Sequence, residues 1–153
     1  MKILMSFVLL ASPVQARLGE TVVEIERRFG KALKTQRLKD IKLDLHTYQN
    51  GDLIIDIFFA EGKSVSEQYL RVKAGKEKTI QPIDKPLADA ILKANVQGSK
   101  WVLISKEGAR PHRYLREDKN AIASVIFKQE VIAEVRISSQ QFNDSFEKAQ
   151  ERP

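Results

Sequence analysis

The chain has 153 residues, of which 42% are hydrophobic and 30% are charged. This composition is typical of a globular protein and excludes the disordered and membrane-spanning classes. Cysteine is absent, which excludes disulfides, thiol nucleophiles, iron–sulfur clusters and cysteine-ligated zinc, and predicts no cysteine-linked lipid anchor. The formal net charge of +6 favours encounters with anionic surfaces, although the same charge also serves solubility.

The first sixteen residues have the layout of a secretory signal peptide. Lys2 gives a positive start, an apolar run extends from Ile3 to Leu10, and Pro13 precedes the small residue Ala16. The run is far shorter than the roughly 20 residues that a membrane-spanning helix needs. The sequence therefore predicts cleavage after Ala16 and a secreted or periplasmic protein. The alternative is an uncleaved amino-terminal anchor or a first core strand.

The first half of the mature chain predicts one helix and three strands. Thr21 and Glu24 form a capping-box pattern at the start of the helix, and Gly30 suits its end. From Ile41 onward, apolar and polar residues alternate, which predicts a strand. One side of this strand would face the core (Ile41, Leu43, Leu45, Thr47) and the other would face solvent (Lys42, Asp44, His46, Tyr48). Asn50-Gly51 is a strong hairpin signal, and a third strand follows over 65–72.

The second half predicts another helix and four strands. The segment 74–82 shows no periodicity and indicates a linker, after which Asp84 can cap a helix over 87–95. Four further segments are predicted as strands, namely 101–104, 112–116, 121–127 and 131–137.

The order of these elements predicts an α+β fold. It reads as two helix-plus-antiparallel-meander units that share one core, and it suggests an internal duplication. The predicted organisation is a signal peptide at 1–16, a single domain at 17–138 and a tail at 139–153. The tail forms a short helix around Phe142 and Phe146 or else frays.

Part of this opening resembles known families. Leu18-Gly19-Glu20-Thr21, followed by Ile25 and by Phe29-Gly30-Lys31, resembles the start of many small secreted bacterial proteins of unknown function. It is also similar to the start of the outer-membrane assembly lipoproteins of the SmpA/OmlA type, although Ala32 stands where proline is usual. The helix-plus-meander plan is similar to the β-lactamase-inhibitor-protein-like fold. These resemblances imply helices packed on antiparallel strands and a role in binding other proteins.

One basic and aromatic segment is the main candidate for partner binding. Three arginines, a histidine and a tyrosine fall within seven residues, namely Arg110, His112, Arg113, Tyr114 and Arg116. On a strand, Arg110, His112, Tyr114 and Arg116 would line one face and could contact an anionic partner by charge and stacking. The alternative is a solvated charged strand face. A second basic run follows the first helix (Lys31, Lys34, Arg37, Lys39, Lys42), and an aromatic patch or core cluster is also predicted (Trp101, Tyr114, Phe58, Phe59).

A catalytic interpretation depends on few residues. His46 and His112 are the only histidines, and Asp44 could pair with His46 across two positions of one strand. Asp56 stands in the most apolar strand, either as a functional carboxylate or as a hydrogen-bonded structural aspartate. No G-x-S-x-G, H-E-x-x-H or phosphate-loop motif is present.

These observations predict an exported, non-enzymatic binding protein without a cofactor or metal. Its partner would be a protein or an anionic envelope component, including a membrane surface, and not a nucleic acid. The alternatives are a small enzyme that uses His46 or His112, and an accessory protein of envelope assembly.

Overall fold

A computed structural model of the chain describes residues 17–73 and 79–150. The predicted signal peptide lies outside the described residues. The strands are β1 (Lys34–Leu38), β2 (Leu43–Asn50), β3 (Leu53–Ala60), β4 (Lys63–Lys73), β5 (Thr79–Gln81), β6 (Trp101–Leu103), β7 (His112–Arg116), β8 (Ala121–Lys128) and β9 (Val131–Ser139). The helices are α1 (Val22–Phe29), α2 (Lys85–Ala94) and α3 (Gln140–Gln150). Within the described residues, no helix is long and apolar enough to cross a bilayer.

The described strands form a single antiparallel sheet in the order β1-β2-β3-β4-β9-β8-β7-β6, and β5 pairs with the end of β4. Strands β4 and β9 pair at the centre of the sheet and so join the two halves of the chain. Glu67 of β4 is opposite Ile137 of β9. The prediction of an α+β fold made of two helix-plus-meander units is therefore wrong. The molecule is mostly antiparallel sheet with short helices, because the two halves hydrogen-bond into one continuous layer and do not form separate units.

Three of the sequence-predicted local signals are present as expected. The Thr21 hydroxyl accepts from the Glu24 amide, and the Glu24 carboxylate accepts from the Thr21 amide at 2.8 Å, which is a complete capping box. Helix α1 ends at Gly30, whose φ of +78° is in the region that favours glycine. The hairpin at Asn50 and Gly51 is also present, with Asn50 directly opposite Leu53.

The helices cover the sheet unequally. Helices α1 and α2 pack on one side, here called the α1/α2 face, where the fully buried core residues include Tyr48, Ile55, Ile57, Tyr69, Val135 and Ile137. Ile25 of α1 and Ile91 of α2 are also buried in this core. Helix α3 lies on the opposite side, the α3 face, where Phe142 contacts Phe58 with ring centroids 6.2 Å apart.

The face assignment predicted for β2 is wrong in part. Tyr48 is fully buried on the α1/α2 face, opposite Ile55, and His46 lies on the same face opposite Ile57. Leu43 is buried on the other side, near Phe142 of α3. Both faces of this strand are partly covered, so simple alternation of polar and apolar residues does not identify the core side.

Two strands have no counterpart in the sequence-based prediction. Strand β1 contains Lys34, Thr35, Gln36 and Arg37, all exposed, and it forms by backbone pairing with β2 at the edge of the sheet. Thr79–Gln81 pairs with Arg71–Lys73, so part of the predicted linker at 74–82 is strand β5. Neither segment has the apolar alternation on which strand prediction depends.

Candidate binding site between α2 and β7

Strand β7 distributes the predicted partner-binding residues between two faces of the sheet. His112 and Tyr114 are opposite Val125 and Ala123, which are buried on the α1/α2 face. Arg116 follows on the same face, and Arg113 lies on the other side of the sheet. The structure therefore brings His112 and Tyr114 together and separates Arg113 from them.

Arg116 is buried, and its guanidinium forms hydrogen bonds within the protein. It is 4% exposed, and its Nε donates to both carboxylate oxygens of Asp118 at 2.9 and 3.0 Å. Its Nη1 donates to the Asn95 carbonyl and to Gln97 Oε1, each at 2.9 Å. Because Asn95 follows the last turn of α2, this guanidinium fastens the end of β7 to that helix.

A cleft of about 540 Å³ opens between α2 and the α1/α2 face of β7 and β8. Its floor and walls are largely apolar (Ile83, Ala88, Leu92, Val125, Phe127, Ile132), and His112 and Tyr114 line one side. Its size lies within the range of about 300–1,000 Å³ that is usual for ligand pockets. The arrangement can accept an apolar group and offers an imidazole and a phenol for hydrogen bonding.

Arg110 contacts two of the residues that line this cleft, Phe127 and Glu130. Its guanidinium is 5.0 Å from the centroid of the Phe127 ring, and it forms two hydrogen bonds to the carboxylate of Glu130, at 2.7 and 3.0 Å. It also donates to the Gln129 carbonyl at 2.7 Å. The hydrogen bond and charge of Arg110 lower the pKa of Glu130 below its usual value.

The charges around the cleft are paired with one another. Arg110 is paired with Glu130, and Lys85 is paired with Asp89 one turn further along α2, at 2.5 Å. The cleft therefore has an apolar floor, and the charged side chains around it are neutralised by one another. Such a cleft favours an uncharged apolar group over a polyanion.

The two histidines lie in different halves of the sheet, each against a phenylalanine ring. His46 lies 4.9 Å from Phe59 between ring centroids, and its Nδ1 is 3.3 Å from the Tyr48 hydroxyl. Burial raises the pKa of that Tyr48 hydroxyl to about 12. His112 meets Phe127 edge-on at 4.8 Å.

The carboxylate that the sequence suggested for His46 has another partner. Asp44 accepts from Arg37 at 2.8 Å. In residues 17–73 and 79–150, no group of three or more histidine, aspartate or glutamate side chains is placed to hold a metal ion. The enzyme alternative stays a prediction.

The other candidate residues have structural partners. Asp56 is half-buried and accepts from the Thr47 hydroxyl at 2.5 Å, which fits the hydrogen-bonded structural alternative. Trp101 donates from its indole nitrogen to the Leu92 carbonyl at 2.7 Å, and Phe59 is buried in the core. The second basic run flanks and includes the exposed strand β1, where Arg37 is paired with Asp44.

Glu67 is not among the residues predicted from the sequence, and it is fully buried at the centre of the sheet. Its Oε2 accepts from the Tyr69 hydroxyl at 2.8 Å and from Asn95 Nδ2 at 3.2 Å. Burial raises the pKa of Glu67 to about 7, against the smaller lowering effects of these hydrogen bonds and of Arg28. The one available signal is its position two residues before Tyr69 on a predicted strand.

Comparison with known proteins shows a likeness of fold only. No family model matches the chain, and no curated protein matches it. A cysteine-rich secretory protein from Staphylococcus aureus subsp. aureus Mu50 is similar, with a TM-score of 0.51, 13% identity, and coverage of 85% of this chain and 46% of that one. An extracellular protein containing an SCP domain from Bacillus anthracis str. Ames is also similar, with a TM-score of 0.51, 11% identity, and coverage of 82% and 45%. The chain thus spans less than half the length of each.

Proposed function

We propose that the protein is exported and acts without catalysis, by binding a protein partner at the cleft between α2 and β7. The observation that carries this proposal is that His112 and Tyr114 line one largely apolar depression, and that Arg110 lies over the ring of Phe127, which lines it as well. Arg110, His112 and Tyr114 are three of the five residues that the sequence selects for partner contact. Aromatic and arginine side chains around an apolar pocket are characteristic of protein interfaces.

Export is supported by two independent features. The amino-terminal segment has the three-part pattern of a cleavable signal, and the two proteins of similar fold are described as secretory and extracellular.

A protein partner is favoured over an anionic envelope polymer by the state of the charges. A polyanion needs cations that are free to form new ion pairs, whereas Arg110 and Lys85 already have carboxylate partners. An apolar side chain of a protein can enter the cleft and leave these pairs intact. Burial of such a side chain contributes roughly 1.5–3 kcal/mol.

The proposal is tested by a double variant at the cleft, Arg110→Ala with His112→Ala. Partners captured from the envelope fraction by the mature protein are identified and then titrated with each variant by calorimetry. We expect affinity to fall by about tenfold or more, because interface anchors commonly contribute at least 1–2 kcal/mol each.

The matched control is Arg37→Ala, which removes an exposed arginine from a similar ion pair on the opposite edge of the sheet. It should bind as the unchanged protein does. Equal affinity of the double variant and the control, with both folded by circular dichroism, would remove the cleft from the binding surface.

A further inference from the structure

The outer edge of β6 has backbone groups that no described strand pairs. In the ladder with β7, the Ile104 amide donates to the Arg113 carbonyl at 2.8 Å, and the Glu117 amide donates to the Lys100 carbonyl at 2.9 Å. Inward bonds therefore fall on alternate residues, and the N–H and C=O groups of Trp101 and Leu103 are directed away from β7. Strand β6 is the last strand in the order of the described sheet.

The side chains along this edge are apolar and exposed. Val102, Leu103 and Ile104 are 46%, 50% and 49% exposed, and they are consecutive in the chain. Alternation places Leu103 on the α1/α2 face and Val102 with Ile104 on the α3 face. Both sides of the edge therefore present apolar surface to whatever lies beside it.

The opposite edge of the sheet differs. Strand β1 exposes Lys34, Thr35, Gln36 and Arg37, and charged side chains on an edge strand discourage the addition of further strands. The protein thus carries this protection at β1 and lacks it at β6. An apolar, unprotected edge is an aggregation risk unless another chain covers it.

We propose that β6 binds an extended segment of a partner protein, which adds to the sheet as a further strand. Only a polypeptide backbone presents alternating donors and acceptors with the spacing of the Trp101 and Leu103 groups. The exposed side chains of β6 fit a segment of consecutive apolar residues. One residue of the segment would contact Leu103 on the α1/α2 face, and the residues before and after it would contact Val102 and Ile104 on the α3 face. This inference rests on the proposed protein-binding function and names the class of partner.

The β6 edge lies next to the strand that lines the cleft. Leu103 is directly opposite Tyr114 in the ladder, and Tyr114 lines the cleft. A segment that pairs with β6 can therefore continue toward the cleft as it leaves the edge. We place the partner's backbone on β6 and one of its apolar side chains in the cleft.

A second copy of this chain is a poorer occupant. Self-pairing through β6 would join two copies by only three or four residues each, whereas a partner segment that leaves β6 can add contacts in the cleft. Each copy also has an excess of basic residues, which opposes association of two copies.

The test uses Leu103→Pro and Leu103→Thr. Because the Leu103 amide points away from β7, proline removes the outward donor and leaves the inward ladder bonds intact, as tolerated at sheet edges. Threonine keeps that donor and the strand propensity but removes most of the apolar surface. The matched control is Val23→Lys on α1, where an apolar side chain is similarly exposed, at 59%.

The probe is a displayed library of random linear peptides, screened against the mature protein. We expect selected peptides with consecutive apolar residues, whose affinity falls by about tenfold with Leu103→Pro, as lost backbone hydrogen bonds and altered edge geometry imply. Leu103→Thr should weaken the same peptides, and Val23→Lys should not. N-methylation of the peptide amides that point toward β6 should abolish binding. N-methylation of the alternate amides, which point away from β6, should leave binding unchanged.

Three outcomes would overturn strand addition: no peptide is selected, Leu103→Pro binds as the control does, or Leu103→Pro converts a dimer into a monomer. The cleft double variant separates this failure from that of the proposed function. If envelope capture depends on Arg110 and His112 but not on Leu103, only strand addition fails. If capture depends on neither, both proposals fail.

Discussion

Glu67 occupies the centre of the α1/α2 face with burial as the dominant influence on its charge. The folded protein raises the pKa of this carboxyl from 4.5 to about 7, because the ionised form loses its hydration. The folded state therefore keeps a proton that the unfolded chain releases between these two values. The associated stability is complete below about pH 4.5 and is lost as the pH rises through about 7.

Glu67→Gln should remove this dependence. The amide side chain keeps an oxygen that can accept from Tyr69 and Asn95, and it has no proton to lose. Relative to the variant, the free energy of unfolding of the unchanged protein should fall by about 3 kcal/mol between about pH 4.5 and about pH 8. Urea denaturation of both proteins across this range measures the difference, and parallel pH profiles would contradict the assignment.

The prediction that Arg116 contacts a partner depends on its residue type alone. Arginine in a basic, aromatic segment suggests an exposed contact, yet this guanidinium satisfies the Asn95 carbonyl at the end of α2 and is held by Asp118. The distinction depends on tertiary contacts 21 positions apart in sequence, between Asn95 and Arg116. No local pattern around Arg116 contains that information.

Helix α2 forms one wall of the cleft, and its first turn depends on Asp84. The Asp84 carboxylate accepts from the Leu87 amide at 2.9 Å and also pairs with Arg71. Asp84→Ala should lower the free energy of unfolding by about 1 kcal/mol, the usual contribution of a helix cap. The control Asp89→Ala removes an exposed pair with Lys85 on the same helix, and it should lower the free energy of unfolding by much less, because exposed ion pairs contribute little to stability. Urea denaturation compares the two, and equal losses would argue against the capping role.

Element prediction succeeds where the signal is local and fails where pairing is distant. The capping box at Thr21, the Asp84 cap and the Asn50-Gly51 hairpin each depend on residues within a few positions, and all three are present. Strand β1 has no apolar pattern, because its stability comes from backbone bonds to β2. The β4–β9 pairing that makes one sheet joins residues such as Ser66 and Ser138, which nothing in the local sequence connects.

The candidate site was predictable to a similar extent. Composition alone selects the segment around β7, and alternation places His112 and Tyr114 on one face. The cleft itself depends on where α2 lies over the sheet, and the β6 edge becomes visible only when the strand order is known. Charge pairing at Arg110 likewise depends on Glu130, which arrives from the β8–β9 turn.

At the scale of the whole molecule, every proposed partner depends on export. The described fold begins with contacts made just after the predicted cleavage point, since the Leu18 amide donates to Asn95 Oδ1 at 3.2 Å and the Gly19 amide donates to the Ser64 carbonyl at 2.8 Å. A mature chain that starts at Arg17 would retain these contacts. Export followed by folding is therefore compatible with the structure of the described residues.

Processing can be tested by expressing the full chain in a bacterium and measuring the mass of the product in each compartment. We expect a periplasmic or secreted protein whose first residue is Arg17. Ala16→Leu should leave the precursor uncleaved, because the peptidase pocket at this position admits only small side chains. The control Gln15→Leu changes the neighbouring position, where a small side chain is not needed, and should be cleaved normally. Recovery of the unchanged, full-length chain from the cytosol would contradict export and with it the envelope partner.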